Sequence, residues 1–135
     1  MNVFTKQFIA AAGVIAALLF ALAPPLLAGA QDYEFQLVQS EVKKGDGTIV
    51  AVRLLNKGSG KAVPGAVIAA KRIDMAPDGM ADMAGRIEQL PSTVPGVYRF
   101  RANLSMQGSW LLSLAAKVQG ENGTVESKLV LKVLP

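Results

Sequence analysis

Alternation of apolar and polar residues is the main signal in the chain after residue 30. In the run 109–118, one parity is apolar and the other carries Ser113 and Lys117. The apolar parity consists of Trp110, Leu112, Leu114, Ala116 and Val118. A period of two is typical of an antiparallel strand with one buried and one solvated face. Trp110 begins this stripe, so we expect it to anchor the core.

Similar runs recur about every ten residues with turn signals between them, which is typical of all-β sandwiches and barrels. Seven strands are predicted, at 33–42, 48–55, 66–73, 85–90, 96–103, 109–118 and 124–133. The apolar parity changes within the first of them, between Leu37 and Val38, and this change predicts a bulge near Leu37. No segment after residue 30 has helical periodicity. The chain has 135 residues, a length that suits one domain.

The first thirty residues have the composition of a secretory signal. One cation, Lys6, precedes an apolar run over 8–23, a double proline and a small-residue Ala-Gly-Ala ending at Ala30. We predict a signal segment at 1–30, cleavage after Ala30, and an exported, periplasmic domain at 31–135. The alternative interpretation is an uncleaved anchor that holds the domain on the inner membrane, facing the periplasm. The apolar run is shorter than the roughly 20 residues that span a bilayer, which favours cleavage.

Composition excludes several kinds of chemistry. The chain contains neither cysteine nor histidine, so disulfides, thiolate zinc sites, iron–sulfur clusters and histidine-based catalysis are ruled out. Without Lys6, thirteen cationic side chains face ten acidic ones, a net charge of +3. The cations are scattered, which does not indicate nucleic-acid binding. No histidine can activate a serine or threonine and no glycine-rich nucleotide loop is present, so we predict a protein that is not an enzyme.

The methionines are concentrated in two predicted loops. Met75, Met80 and Met83 fall in the segment "DMAPDGMADMA" at 74–84, which Pro77, Asp78 and Gly79 mark as a loop, and Met106 falls in the turn after the fifth strand. Loops separated by two strands emerge at the same end of a sandwich. We therefore expect all four methionines at one end, together with the turn at 43–47.

Four thioethers at one end of an exported domain suggest a soft-metal site. Thioether sulfur suits Cu(I), and it binds without losing a proton. The candidate ligands are Met75, Met80, Met83 and Met106, with Asp78 as an auxiliary carboxylate. Asp74, Asp78 and Asp82 would provide a negative field around the ion.

Other interpretations of these residues stay open. The methionines could pack as an apolar lid over the end of the sandwich, because methionine fills irregular gaps. They could also form an exposed patch for a partner protein or act as sacrificial oxidation sites. The aspartates alone could suggest calcium, but they lack the alternate-position oxygen ligands and the closing glutamate of a calcium loop.

The chain resembles the FixH/YtkA-like domain family. The resemblance is carried by "NKGSGKAVPGAVIAAKRIDMAPDGM", "PGVYRFRANLSMQGSWLLSLAAKVQGE" and "GTVESKLVLKV", and it covers roughly 32–134. It implies a small periplasmic immunoglobulin-like sandwich whose relatives are encoded beside heavy-metal, especially copper, transport and efflux systems. Some relatives work with a copper-transporting ATPase in assembling a terminal oxidase. Membrane-anchored relatives have a longer membrane segment than this chain, which favours a freely exported protein.

Two functional hypotheses follow. The first is a periplasmic accessory protein that binds or passes Cu(I) or Ag(I) and works with a subunit of a metal-transport or efflux membrane complex. The second is an interaction module that docks on such a complex through its methionines without any metal. The fold expected under both is a seven-stranded, immunoglobulin-like antiparallel β-sandwich.

Overall fold

A computed structural model describes residues 30–135. This part of the chain folds into nine β-strands with two short 3-10 turns, Ala30–Asp32 and Ala76–Asp78, and contains no α-helix. The strands are β1 (Tyr33–Leu37), β2 (Glu41–Lys43), β3 (Gly45–Asn56), β4 (Val67–Met75), β5 (Met80–Gly85), β6 (Ile87–Leu90), β7 (Val97–Leu104), β8 (Gly108–Lys117) and β9 (Val125–Leu134).

The strands form two sheets that pack face to face. The four-stranded sheet has the order β1-β3-β7-β6, and the five-stranded sheet has the order β2-β9-β8-β4-β5. All neighbouring strands are antiparallel except β2 and β9, which are parallel. With β1 and β2 taken as the two halves of the first strand, this is the immunoglobulin order, in which strands A, B, E and D face strands G, F and C. The predicted immunoglobulin-like β-sandwich is therefore confirmed.

The inward parities of the strands make a single core. Trp110, Leu112 and Ala116 on β8 are buried, as the alternation predicts, and Trp110 is only 1% exposed. They pack with inward side chains of the opposite sheet such as Phe100 and Leu54. The aromatic rings of Phe35 and Tyr98 meet edge to face, with centroids 6.2 Å apart.

The first predicted strand, 33–42, divides into two strands that belong to different sheets. β1 pairs with β3, and β2 pairs with β9 after a break at 38–40. The change of parity after Leu37 therefore marks a strand that changes sheets. It does not mark a simple bulge within one sheet.

The second difference from the sequence prediction concerns the segment 74–84, which was expected to be a loop. β4 continues to Met75, and β5 returns beside it as the edge strand of the five-stranded sheet. The chain then crosses to the four-stranded sheet at Gly85, where a Cβ atom would collide with the backbone oxygen of Asn103. Together, the divided first strand and β5 raise the strand number from the predicted seven to nine.

Tyr98 fixes the connection 57–66 at the opposite end from Met75. Its hydroxyl accepts a hydrogen bond from the Ala66 N–H (2.9 Å) and donates one to the Val63 carbonyl (2.7 Å). The connection is also bonded to β3 by its backbone, since the Val63 N–H donates to the Leu54 carbonyl and Ala62 forms a bridge with Leu55. Tyr98 adds a side-chain anchor to these backbone bonds.

Candidate functional site

The β4–β5 hairpin begins with a tight, sequence-encoded turn. Pro77 lies in the 3-10 turn Ala76–Asp78, and Gly79 follows it with φ of +77°. Proline fixes φ near the value this turn requires, and glycine adopts the left-handed conformation without steric cost. The Gly79 N–H donates to the Ala76 carbonyl at 2.8 Å, which closes the turn.

A buried carboxylate holds the same hairpin from within. Asp74 accepts the Ala76 N–H at Oδ1 (2.9 Å) and the Arg72 Nε–H at Oδ2 (2.7 Å). The second guanidinium nitrogen of Arg72 donates to the Ala81 carbonyl at 2.9 Å. The Asp74 side chain is only 7% exposed, so these bonds compensate for the loss of hydration.

The hydrogen bonds at Asp74 also set its protonation state. Burial is the largest single influence and by itself would raise the pKa of the carboxyl group. The Ala76 N–H, the Arg72 guanidinium and the charge of Lys128 act in the opposite sense and together hold the pKa below its usual value. Asp74 is therefore a charged group whose field is largely compensated by Arg72. The negative field expected around a metal would therefore come mainly from Asp78 and Asp82.

The structure joins the turn between Met75 and Met80 to the start of β8, just after the turn that contains Met106. Oδ2 of Asp78 accepts the backbone N–H of Ser109 at 2.9 Å, so the turn Ala76–Asp78 lies against the start of β8. A Cβ atom at Gly108 would come within 2.5 Å of Asp78 Oδ2 and 2.7 Å of Met75 Cε, and only glycine leaves room for this approach. The Trp110 indole N–H donates to the Met106 carbonyl at 3.0 Å and fixes the turn 105–107.

The end of the sandwich made by the turns Ala76–Asp78 and 105–107 is called the methionine end below. The connection between β2 and β3 lies at the same end, as expected, because Gly45 pairs with Leu104 and the Lys44 N–H donates to Leu134.

The four methionines occupy two different environments. Met75 is fully buried at 0% exposure and belongs to the core, as the packing interpretation predicts for this residue. Met80, Met83 and Met106 are 37%, 38% and 40% exposed. The expectation that Met75, Met80 and Met83 lie in a loop is wrong, since β4 ends at Met75 and β5 begins at Met80 and includes Met83. Three thioethers are thus exposed to solvent, and the fourth lies beneath the turn 105–107.

Sequence analysis missed three residues that build this end. Ser109 supplies the N–H that binds Asp78, Gly108 leaves the space, and Arg72 neutralises Asp74. Arg72 and Asp74 are two positions apart, so the period-two pattern of a strand places their side chains on one face. This pattern could have indicated their pairing from the sequence.

Among residues 30–135, no group of three or more histidine, cysteine, aspartate or glutamate side chains is arranged to hold a metal ion. Within the same residues, no helix is long and apolar enough to span a bilayer. The predicted signal segment and the apolar run 8–23 lie outside the described residues, except for Ala30.

Fold and strand order define the protein as a small immunoglobulin-like sandwich domain with a methionine-bearing end. The YtkA-like family model matches residues 27–115, so the chain belongs to the YtkA-like family. This match confirms the resemblance found in the sequence.

Solved structures with related folds are distant in sequence. The chain is similar to the filamin domain of Lin-41, with 15% identity, a TM-score of 0.46, and coverage of 74% of this chain and 91% of that one. It is also similar to the ZirS C-terminal domain, with 10% identity, a TM-score of 0.44, and coverage of 97% and 82%. A conjugative transposon lipoprotein from Bacteroides eggerthii matches at 10% identity, a TM-score of 0.34, and coverage of 74% and 96%. Among curated proteins, none matches the chain.

Proposed function

We propose that this YtkA-like protein is a periplasmic accessory protein that binds or passes Cu(I) or Ag(I) in a heavy-metal transport or efflux system. The thioethers of Met80, Met83 and Met106 are the proposed ligands, and Asp78 is the proposed auxiliary carboxylate. Soft sulfur ligands of this kind suit a monovalent copper or silver ion. The protein hands metal on and is not an enzyme under this proposal.

The single observation that carries the proposal is the hydrogen bond between Asp78 and Ser109. It brings together two turns that are about thirty residues apart in the chain. Exposed Met80 lies two residues after the first turn, and exposed Met106 lies within the second. A shared ion would need this proximity, because ligands on separate ends of the molecule could not meet.

Met75 has a different part in the proposal from the one its position in the sequence suggests. Its side chain is fully buried and its Cε lies beside Gly108, so it supports the turn 105–107 from below. A metal held by the exposed methionines would therefore be bound near the surface. Shallow binding suits a protein that passes its ion to a partner.

Competition for Cu(I) against a chromophoric chelator tests the proposal. The variants Met80→Leu, Met83→Leu and Met106→Leu, combined, remove the exposed sulfurs while keeping the apolar volume. The triple variant is expected to lose competition with the chelator. Met75→Leu is the matched control, since it removes a buried sulfur, and it is expected to keep the wild-type affinity. Absence of competition by the wild-type protein, or full competition by the triple variant, would reject the metal site.

The second candidate function is metal-independent docking on a membrane transport complex. It is favoured by the exposure of the same three methionines, since exposed apolar side chains are available to a partner whether or not a metal binds. Docking through this surface should survive a copper chelator and the leucine variants, and it should fail when the three methionines are replaced by glutamine. Pull-down of transport-complex subunits with these two variant sets separates the two functions.

A further inference from the structure

The outer face of the five-stranded sheet carries exposed apolar side chains. Val67 and Val130 are the most exposed large apolar side chains in the described part of the chain, at 62% and 57%. Both belong to this face, since Val67 pairs with the exposed Lys117 and Val130 pairs with Leu111, on the parity of β8 opposite the core. The two valines lie six positions of β8 apart, at opposite ends of the face, so the case for an interaction surface rests on the side chains between them.

Small side chains occupy the centre of the same face. Ala70, Ser113 and Ala115 lie in adjacent register positions on β4 and β8 and floor a groove of about 460 Å³. Arg72, opposite Ser113, also lines the groove, but its bonds to Asp74 and to the Ala81 carbonyl draw its guanidinium group towards the edge strand β5. Long side chains over the floor itself would keep another surface away from the sheet. Small ones allow a second sheet to approach to the roughly 10 Å that separates stacked sheets.

A positive and a negative side chain border this centre at successive outward positions of β9. Lys128 on β9 lies opposite Ser113, and Glu126 lies opposite Ala115, one outward position further along the same strand. Neither takes part in the salt bridges found among residues 30–135. A face of one sign would point to a partner of the other sign. On this face Arg72 and Lys132 form salt bridges with Asp74 and Glu41, and Lys117 lies towards the far end of β8. The adjacent, opposite charges of Lys128 and Glu126 are therefore the self-complementary part of the face.

We propose that this face binds a second copy of the chain through a two-fold axis. The axis lies parallel to the sheet and perpendicular to its strands, and it passes between Ser113 and Ala115. Such an axis lays β9 antiparallel over the β9 of the second copy. It places Lys128 of each copy over Glu126 of the other and Ser113 over Ala115. The two methionine ends then point in opposite directions and stay uncovered. The proposal is independent of metal binding.

A charge exchange tests this arrangement. Sedimentation equilibrium of the purified full-length protein, solubilised identically for every variant, is expected to give twice the monomer mass. Lys128→Glu places two glutamates over each other, and Glu126→Lys places two lysines over each other. Each single change is expected to raise the dimer dissociation constant by about tenfold or more, because like charges in contact oppose association. The double variant Glu126→Lys with Lys128→Glu restores opposite charges and is expected to restore the wild-type constant.

The control is Lys61→Glu, which makes the same charge change in an exposed loop outside the face. It is expected to leave the dissociation constant unchanged. Near-ultraviolet circular dichroism of Trp110, which is buried, checks that each variant keeps its fold. A wild-type protein that is monomeric up to about 1 mM overturns the proposal, since binding that weak falls short of a specific dimer. A double variant as weak as the single ones overturns the proposed axis and with it the interface.

Discussion

Asp74 is the only buried charged side chain among residues 30–135, and it lies at the base of the methionine end. Its carboxylate uses both oxygens, one for the Ala76 N–H and one for Arg72. A carboxylate in this position is stabilising only while it is ionised, because its partners are donors. The stability of the β4–β5 hairpin therefore depends on pH through the ionisation of Asp74.

Asp74→Asn is expected to lower the free energy of unfolding by about 1–3 kcal/mol at pH 7, since the charge-assisted bond to Arg72 is lost. The folded-state pKa of Asp74 lies below the usual value of 3.8, so the wild-type advantage is present above pH 3.8 and disappears as the pH falls through the lowered pKa. Urea unfolding of both proteins over a pH series measures the difference.

Asp82→Asn provides the control for that series. Asp82 is on the same hairpin but exposed, and its replacement is expected to change stability by less than about 0.5 kcal/mol. A deficit of Asp74→Asn that stays constant from neutral to strongly acidic pH would contradict the linkage.

The residue types of the methionines predicted their ligand chemistry, but their positions in the sequence did not predict which of them are buried. A thioether is a soft ligand in any fold, so the sequence identified Met75, Met80, Met83 and Met106 as candidates. It did not separate Met75, which is buried, from the other three, which are exposed. The separation depends on the extension of β4 to Met75 and on the approach of Gly108, a contact between distant parts of the chain.

At the scale of elements, two connections at opposite ends are each anchored by a side chain that binds their backbone groups. Asp74 holds the β4–β5 hairpin, and the Tyr98 hydroxyl holds the connection 57–66 through Ala66 and Val63. In both cases a strand supplies the side chain and a neighbouring connection supplies the backbone groups. Loss of the side chain leaves backbone groups without a partner, which costs more than a surface hydrogen bond.

Tyr98→Phe is expected to destabilise the protein by about 1–2 kcal/mol, because the Ala66 N–H and the Val63 carbonyl lose their common partner. Amide hydrogen exchange at Ala66 should accelerate as well. Tyr33→Phe is the matched control: it removes a hydroxyl that donates to the Glu121 side chain at 2.9 Å and leaves no backbone group unpaired. Equal losses in the two variants, measured by urea unfolding, would contradict this account.

The strand pattern was predictable at this scale because burial in a sheet alternates with period two. The stripe from Trp110 to Val118 was predicted and is buried. β5 was not predicted, because "MADMAG" is exposed over most of its length and contains no β-branched side chain. Its strand conformation comes from pairing with β4 and from the bond between Arg72 and Ala81.

At the scale of the whole molecule, the sandwich separates the start of the described chain from the methionine end. Tyr33 pairs with Asn56 and reaches Glu121, which places Ala30–Asp32 at the end opposite Asp78. β8 runs from one end to the other, about 30 Å at the rise of an extended strand. Leu134 and Pro135, by contrast, share a cavity with Asp78 and Gly108 at the methionine end.

Fusions at the two ends should therefore affect Cu(I) binding differently. A bulky domain attached after Pro135 is expected to weaken Cu(I) competition against a chelator, since it would crowd Asp78 and the turn 105–107. The same domain attached immediately before Ala30 is expected to leave competition unchanged. Equal weakening by both fusions would show that the methionine end is not where the ion binds.

The sequence alone determined which residues are chemically suited to the proposed site and which strand faces are buried. Both properties are local, since side-chain type and period-two alternation need no knowledge of distant contacts. Tertiary structure decided the division of the first strand between two sheets, the pairing of Asp74 with Arg72, and the burial of Met75. It also joined the turn Ala76–Asp78 to Ser109. These features depend on strand register and on the contact of segments far apart in the chain, and a local pattern does not specify either.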